Sequence, residues 1–273
     1  MRRTVPLLLG LMLVLPGCGG GDADPAVVLS QTAANLGKIR SAESMHLKLL
    51  VEPREGEPFG FELEGPFALC EQQALPLLDV AYTQIANGQE ATVRIVANGT
   101  QGFVVLDEAA YEMSDDQEAD LRSACDELEG GDGGLESLRV GDWVRDPDAS
   151  SGDDVDTVTG ELDVVAVVDD LVDIARAFGG STLARLDEDD AARIAEATEG
   201  SSFELETGHE DHLLRRLFLE AELGFDVPDD LRRALGEAVG GTFTFELELE
   251  DPNGQVQVQT PANPRPASEL PGG

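Results

Sequence analysis

The segment Phe243-Thr244-Phe245-Glu246-Leu247-Glu248-Leu249-Glu250 alternates apolar and polar residues without a break. Successive side chains of a strand point to opposite sides, so this segment buries one face and leaves the other in water. An antiparallel sheet with one covered and one wet face is the expected frame. Shorter runs with the same period occur earlier: Met45/Leu47/Leu49, Phe59/Phe61/Leu63, Val80/Tyr82, Val93/Ile95/Ala97, Phe103 to Leu106 and Ala110 to Met113. Asn87-Gly88 and Asn98-Gly99 separate two pairs of them as hairpin turns. Further strands are expected around Val158/Leu162/Val164, at Phe203/Leu205, over Leu213 to Leu223, and at Val256/Val258 after a turn at Asp251 to Gly254.

A face of that size needs a cover, and helical periodicity supplies candidates. Val167, Leu171, Ile174 and Phe178 form one stripe, with Val168, Val172 and Ala175 beside it, stopped by Gly179-Gly180. Val28, Leu29, Thr32, Ala33, Leu36 and Ile39 form another. Asp187 to Asp190 opens a shorter helix with Ala191, Ile194 and Ala195 inward, its acids placed where the helix dipole favours them. Pro228 and Gly240-Gly241 bracket a fourth, with Leu231, Leu235 and Val239. Asp115 to Leu128 reads as a short acidic helix ending in the Gly-rich segment 130–134.

The N-terminus adds a topological signal. Arg2 and Arg3 precede an apolar run from Val5 to Leu15, too short and too interrupted for a spanning helix, so residues 1–17 read as a secretory signal. It ends in Leu15-Pro16-Gly17-Cys18, a lipobox, where signal peptidase II cuts before a Cys18 already carrying diacylglycerol. The expected organisation is a signal at 1–17, lipidated Cys18 and a flexible tether over 18–26, one domain over 27–263, and a proline-rich tail over 264–273. Two acyl chains are what stable anchoring needs. The expected location is extracytoplasmic, on the cell membrane. An ordinary secreted protein with an incidental Cys18 is the alternative.

Charge sets what such a protein can meet. Asp and Glu number 55 against 18 Lys and Arg, for a net charge of −37, so nucleic acid and anionic headgroups are repelled. Only Lys38 and Lys48 among the bases are lysines, a bias that fits a GC-rich genome or a halophile. With Cys18 taken by lipid, Cys70 and Cys125 remain as an expected disulfide in an exported chain, or as two unpaired thiols. Closing that loop of about 56 residues would contribute at most about 4 kcal/mol.

Catalytic chemistry is sparse. The histidines are His46, His209 and His212; His46 lies mid-strand opposite Met45 and Leu47, and the other two flank Glu210-Asp211 in an expected turn. Asp146, Asp148, Ser150 and Asp154 have some flavour of a calcium loop, but no Glu closes it at the twelfth place, and a solvated loop is expected. No nucleophile elbow, phosphate loop, HExxH or dinucleotide fingerprint is present, so no enzyme, no metal and no cofactor are expected.

The order of features resembles a family. A lipobox, a Gly/Asp tether, a lead helix ending in Gly37-Lys38-Ile39-Arg40-Ser41-Ala42 and a meander precede Trp143-Val144-Arg145-Asp146-Pro147 and Asp156-Thr157-Val158-Thr159-Gly160-Glu161-Leu162-Asp163-Val164. The chain closes with Phe243 to Leu249, then Val256-Gln257-Val258-Gln259-Thr260-Pro261-Ala262. This is similar to the actinobacterial LppX/LprA/LprF/LprG lipoproteins, which share the LolA/LolB-like fold. The resemblance implies an α+β fold, a curved antiparallel β half-barrel with helices covering its concave face. It also implies lipid or lipoglycan acyl chains as ligands, carried or presented in the cell envelope, with an envelope transporter or export protein as a further partner. The acidity and the Cys70/Cys125 pair depart from that pattern and leave the headgroup open. On the residues themselves, the expected lining is Leu47, Leu49, Phe61, Leu63, Val167, Val168, Leu171, Ile174, Phe178, Phe243, Phe245, Leu247 and Leu249. The competing expectation is that these residues pack a closed core in a surface-tethered interaction module.

Overall fold

The computed structural model describes residues 23–70, 74–129, 139–177, 186–224 and 240–271, with the side chains of 124–129 and 171–177 left aside. Among them are four helices, α1 (Pro25–Leu36), α2 (Asp115–Glu129), α3 (Val164–Ala177) and α4 (Glu188–Ala197). The strands are β1 (Ser41–Pro53), β2 (Phe59–Ala68), β3 (Leu77–Ala86), β4 (Gln89–Asn98), β5 (Gly102–Leu106), β6 (Ala109–Glu112), β7 (Val144–Ser151), β8 (Val155–Leu162), β9 (Thr198–Gly208), β10 (Leu214–Leu223) and β11 (Gly241–Glu250). They form one open sheet of 11 strands in the order β6-β5-β4-β3-β2-β1-β11-β10-β9-β8-β7. Every pairing in it is antiparallel. The fold is α+β, as expected, and its one non-sequential pairing puts the first strand beside the last.

Register carries the two-faced character across the sheet. Leu47 stands between Leu63 and Leu247, with Leu217 and Leu205 following on β10 and β9. One residue away, Lys48 stands between Glu62 and Glu246, and His46 between Glu64 and Glu248. A one-residue slip would turn every leucine to water and every glutamate inward, so the pattern fixes the register. Asn87 and Gly88 take φ values of 54° and 66°, as a tight hairpin turn requires.

The apolar inner face is covered unevenly. Val28, Leu29 and Leu36 of α1, Val164 and Val167 of α3, and Ile194 and Ala197 of α4 join one core cluster with Val158, Phe203, Leu205, Leu217 and Leu219. These contacts lie over β7–β10 and reach β11 and the start of β1. Two local devices seat the helices there. Asp24 caps α1 by accepting a hydrogen bond from the Ala26 amide at 3.0 Å. Asp170 of α3, buried, accepts from the Trp143 indole Nε1 at 2.7 Å, the Arg139 amide at 3.0 Å and the Arg139 guanidinium Nε at 2.8 Å.

Several expectations are corrected. Helix α1 begins at Pro25, so Pro25 and Ala26 belong to it rather than to the tether. The acidic segment around Asp146 and Asp148 is no loop: it lies in β7, which makes a hairpin with β8 and carries a register shift between Arg145 and Asp148. No strand forms at Val256 and Val258. The chain there runs extended outside the ladder, because the β1 partner of that end of the sheet is already taken by β2 and β11. The tail is tied down instead: the Asn98 Nδ2 donates to Thr260 Oγ1 at 2.8 Å, and Arg265 exchanges backbone hydrogen bonds with Ala110 and Glu112 of β6. The expected helix from Pro228 and the glycine stops at 130–134 and 179–180 lie outside the described residues.

Asp170→Ala leaves the buried Trp143 indole without its acceptor and the Arg139 guanidinium without its partner. Chemical denaturation should show a loss of about 2–4 kcal/mol, with Asp170→Asn losing roughly half as much because it keeps an acceptor for the indole. Equal stabilities for wild type and Asp170→Ala would show that the clamp contributes nothing.

Candidate apolar ligand surface

The inner face changes character from one side of the sheet to the other. On β8, β9 and β10, Val158 is 0% exposed and Phe203 and Leu205 are each 1%. On β1 to β5 most residues of the same face, Leu47, Leu49, Phe61, Leu63, Tyr82, Val93, Ile95 and Val104, are only half-buried, while Val51 and Val80 are buried. Phe61 and Tyr82 lie diagonally on that part, their ring centroids 6.2 Å apart. The reason for the change is the placement of α1 and α4, whose contacts are with β7 to β10.

At the far side, α2 stands over β4 and β5. Ser114 and Gln117 start it as a capping box, the Ser114 amide donating to Gln117 Oε1 at 2.9 Å and the Gln117 amide to Ser114 Oγ at 3.3 Å. Glu118 accepts from the Gly102 amide at 2.9 Å and Arg122 donates to the Ala74 carbonyl at 3.3 Å, which fixes the helix to the start of β5 and the approach to β3. Between helix and strands lies a cleft of about 470 Å³, mostly apolar, walled by Val93, Ile95, Val104, Leu106 and Leu121 and bounded by Leu270 and Pro271 of the tail.

The expected lining residues therefore separate. Leu49, Phe61, Leu63 and Phe243 lie half-buried on the inner face, and Leu47, Phe245 and Val168 are half-buried and packed against the core cluster. Val167, Leu247 and Leu249 are buried within the core cluster and face packed neighbours. The side chains of Leu171 and Ile174, and Phe178 altogether, lie outside the described residues. The β4–β5 cleft was not anticipated. Its strands alternate in the sequence, but the pairing of α2 with them has no signal there beyond Ser114-x-x-Gln117.

The opposite face is ionic over β1, β2, β9, β10 and β11, while on β4 and β5 it carries the buried pair Val96 and Phe103. Arg216 of β10 reaches Glu204 on β9, and Glu246 at 2.9 Å and Glu248 at 3.1 Å on β11, with its guanidinium 5.3 Å from the Phe218 ring. Hydrogen bonding to Glu246 raises its already high pKa. His46 bonds Glu62 at 3.0 Å, and Arg54 joins Glu199 to Glu222. Cys70 is buried and disulfide-bonded, and Cys125 lies in α2.

His209 and His212 sit in the β9–β10 turn, as expected. His209 Nδ1 meets the buried carboxylate of Asp156 at 2.9 Å, and the buried His212 Nδ1 has no hydrogen-bond partner among the described residues. No group of three or more His, Cys, Asp or Glu among the described residues converges as metal ligands would. The hydrogen bond to Asp156 raises the His209 pKa. Burial alone would raise that of Asp156, but hydrogen bonds from His209 and Ser151 outweigh it and the net shift is downward.

No protein-family model matches the chain, and no curated protein matches it. Among solved structures it is similar to LprF from Mycobacterium bovis, at 11% identity over 90% of this chain and 100% of that chain, with a TM-score of 0.44. It is also similar to a LolA superfamily protein from Nitrosomonas europaea, at 10% identity over 84% of this chain and 94% of that one, with a TM-score of 0.20. At such scores the fold rests on the strand order and register of the chain itself.

The His209–Asp156 pair gives a pH dependence with a definite sign. The raised histidine contributes stability that is fully present below about pH 6.5 and is lost as pH rises through its folded value; the lowered carboxylate contributes above about pH 3.9 and loses it as pH falls. The difference in Tm between wild type and His209→Gln should therefore be largest near pH 5–6 and shrink towards pH 8.5. A difference that is the same at both ends would mean that the pair does not ionise as described.

Proposed function

We propose that this protein is a lipid-anchored envelope lipoprotein that binds the acyl chains of lipids or lipoglycans on its inner sheet face and carries or presents them. The observation that supports this is the split of one apolar face into a dry half under helices and a half-buried half over β1 to β5. Burial of methylenes supplies about 0.8 kcal/mol each and needs no directional chemistry. The acids of the outer face disfavour nucleic acid and anionic membrane surfaces. Attachment to the membrane would then come from Cys18, a short distance before α1. An envelope transporter or export protein is the partner this role calls for. Cys70 would pair with Cys125, tying α2 to the segment that leads into β3.

The same substitution in the two halves separates ligand surface from core. Leu63→Trp, on the half-buried side, should abolish retention of a fluorescent acyl probe such as 11-dansylaminoundecanoate while Tm stays within a few degrees of wild type. Leu205→Trp, in the dry half, should cost about 1–3 kcal/mol by overpacking and leave the binding of the folded fraction intact. If Leu63→Trp unfolds the domain as Leu205→Trp does, the face is a closed core and the chain is an interaction module.

The cysteines can be tested together. Cys18→Ala should stay out of the detergent phase on Triton X-114 partition, and thiol titration of that variant under denaturing, non-reducing conditions should find no free thiol. Partition like wild type would remove the anchor, and two titratable thiols would remove the disulfide.

A further inference from the structure

The cleft between α2 and strands β4 and β5 is distant from the helices that cover the other half, yet it shares the same face. We infer that it is the pocket for the terminal end of a long, unbranched alkyl chain, and that the C-terminal residues Leu270 and Pro271 form its stop. This rests on the proposed acyl-chain reading and specifies where the chain ends.

Three observations carry it. The walls are hydrocarbon: Val93 and Ile95 of β4, Val104 and Leu106 of β5, and Leu121 of α2. The polar side chains at the cleft are Gln117 and Asp120, and Asp120 is exposed at the rim. A phosphate or carboxylate headgroup would face that carboxylate in a low-dielectric setting, so the end of the ligand that fits here is the uncharged one.

Second, the cleft is continuous with the rest of the inner face. Register places Ile95 beside Val80 and Val104, and Val93 beside Tyr82, which in turn pairs with Leu63, and Leu63 with Leu47. Four strand spacings of about 4.8 Å separate β1 from β5, roughly 19 Å in all. One acyl chain in a bilayer leaflet occupies about 15 Å, half of a hydrocarbon core of about 30 Å. A chain whose head lies over β1 thus reaches β4, three spacings or about 14 Å away, with its last methylenes, and a longer one enters the cleft between β4 and β5.

Third, the tail is held at the cleft by contacts of its own. Arg265 bridges to β6 through its backbone and lies 5.6 Å over the Tyr111 ring, and a short 3-10 turn at Ala267–Glu269 then brings Leu270 to the cleft. The stop, Leu270 and Pro271, is anchored on the edge strand by Arg265, five residues before Leu270.

The test is a chain-length profile. Saturated fatty acids from C10 to C20 compete with bound 11-dansylaminoundecanoate on the full anchor-free protein, and the wild type should tighten steadily to about C16–C18 and then level. Val104→Trp, which fills the cleft, should bind C10 and C12 within twofold of wild type and lose at least tenfold at C18. Deletion of residues 267–273 should remove the levelling at C20. Because Val104→Trp could unfold the sheet, a fatty acid with a terminal diazirine provides a second measurement on the wild type: photolabelled peptides should come from 93–121 or from 270–271. Binding with an unchanged profile in both variants, or labelling confined to β8–β10, overturns the terminal pocket and leaves the acyl-chain function standing. Failure of the wild type to bind any chain overturns both.

Discussion

A single-layer sheet can leave only one face in water, and the rest of this structure follows from having to hide the other. Among the described residues, α1 and α4 lie over β7 to β10 of the eleven strands, and α3 packs on α4. Seating them there depends on a few buried polar contacts, above all Asp170 with Trp143 and Arg139. Covered strands became a dry core. Beyond α1 and α4, most of the inner-face leucines, phenylalanines and valines of β1 to β5 are only half-buried.

The outer face solves a different problem. A chain with 55 carboxylates has to place many of them on neighbouring strands, where like charges directly opposite one another repel. The register answers with few bases, each shared. Lys48 lies between Glu62 and Glu246, His46 between Glu64 and Glu248, and Arg216 draws in carboxylates from β9 and β11. Arginine suits the last position because its planar fork can bond several carboxylates at once. Nothing of this kind is needed on the inner face, and the separation of the two chemistries is complete along β11, whose Glu246, Glu248 and Glu250 all point outward.

Much of the sheet was legible because period-2 alternation survives wherever one face is wet. The six strands before α2, the β9–β10 turn with its two histidines, and the outward position of His46 could all be read that way. What could not be read were features set by partners distant in sequence. Val256 and Val258 alternate like a strand, but the neighbouring edges are already paired. Asp146 and Asp148 look like a solvated acidic loop, and β7 tolerates them because it is an edge strand. Burial along a single strand face was also hidden: Leu247 and Leu249 are packed while Phe243 and Phe245 are half-buried, and nothing in the alternation distinguishes the ends of β11. The cleft under α2 depends on where that helix docks, which a capping box at Ser114 does not specify.

An open sheet has two edges, and each here is closed by different means. At β7, Pro147 withholds an amide, the register slips at the same place, and Arg145, Asp146 and Asp148 surround it with charge. At β6 the strand is four residues long and the backbone of Arg265 takes up its free hydrogen-bonding groups. Self-repulsion at −37 would also hold copies apart, but salt at molar concentration shortens its reach to about 3 Å. Backbone caps are indifferent to ionic strength. The sheet of this acidic chain therefore stays finite in brine as in dilute buffer, protected from stacking strand to strand into fibrils by geometry where charge would have been switched off.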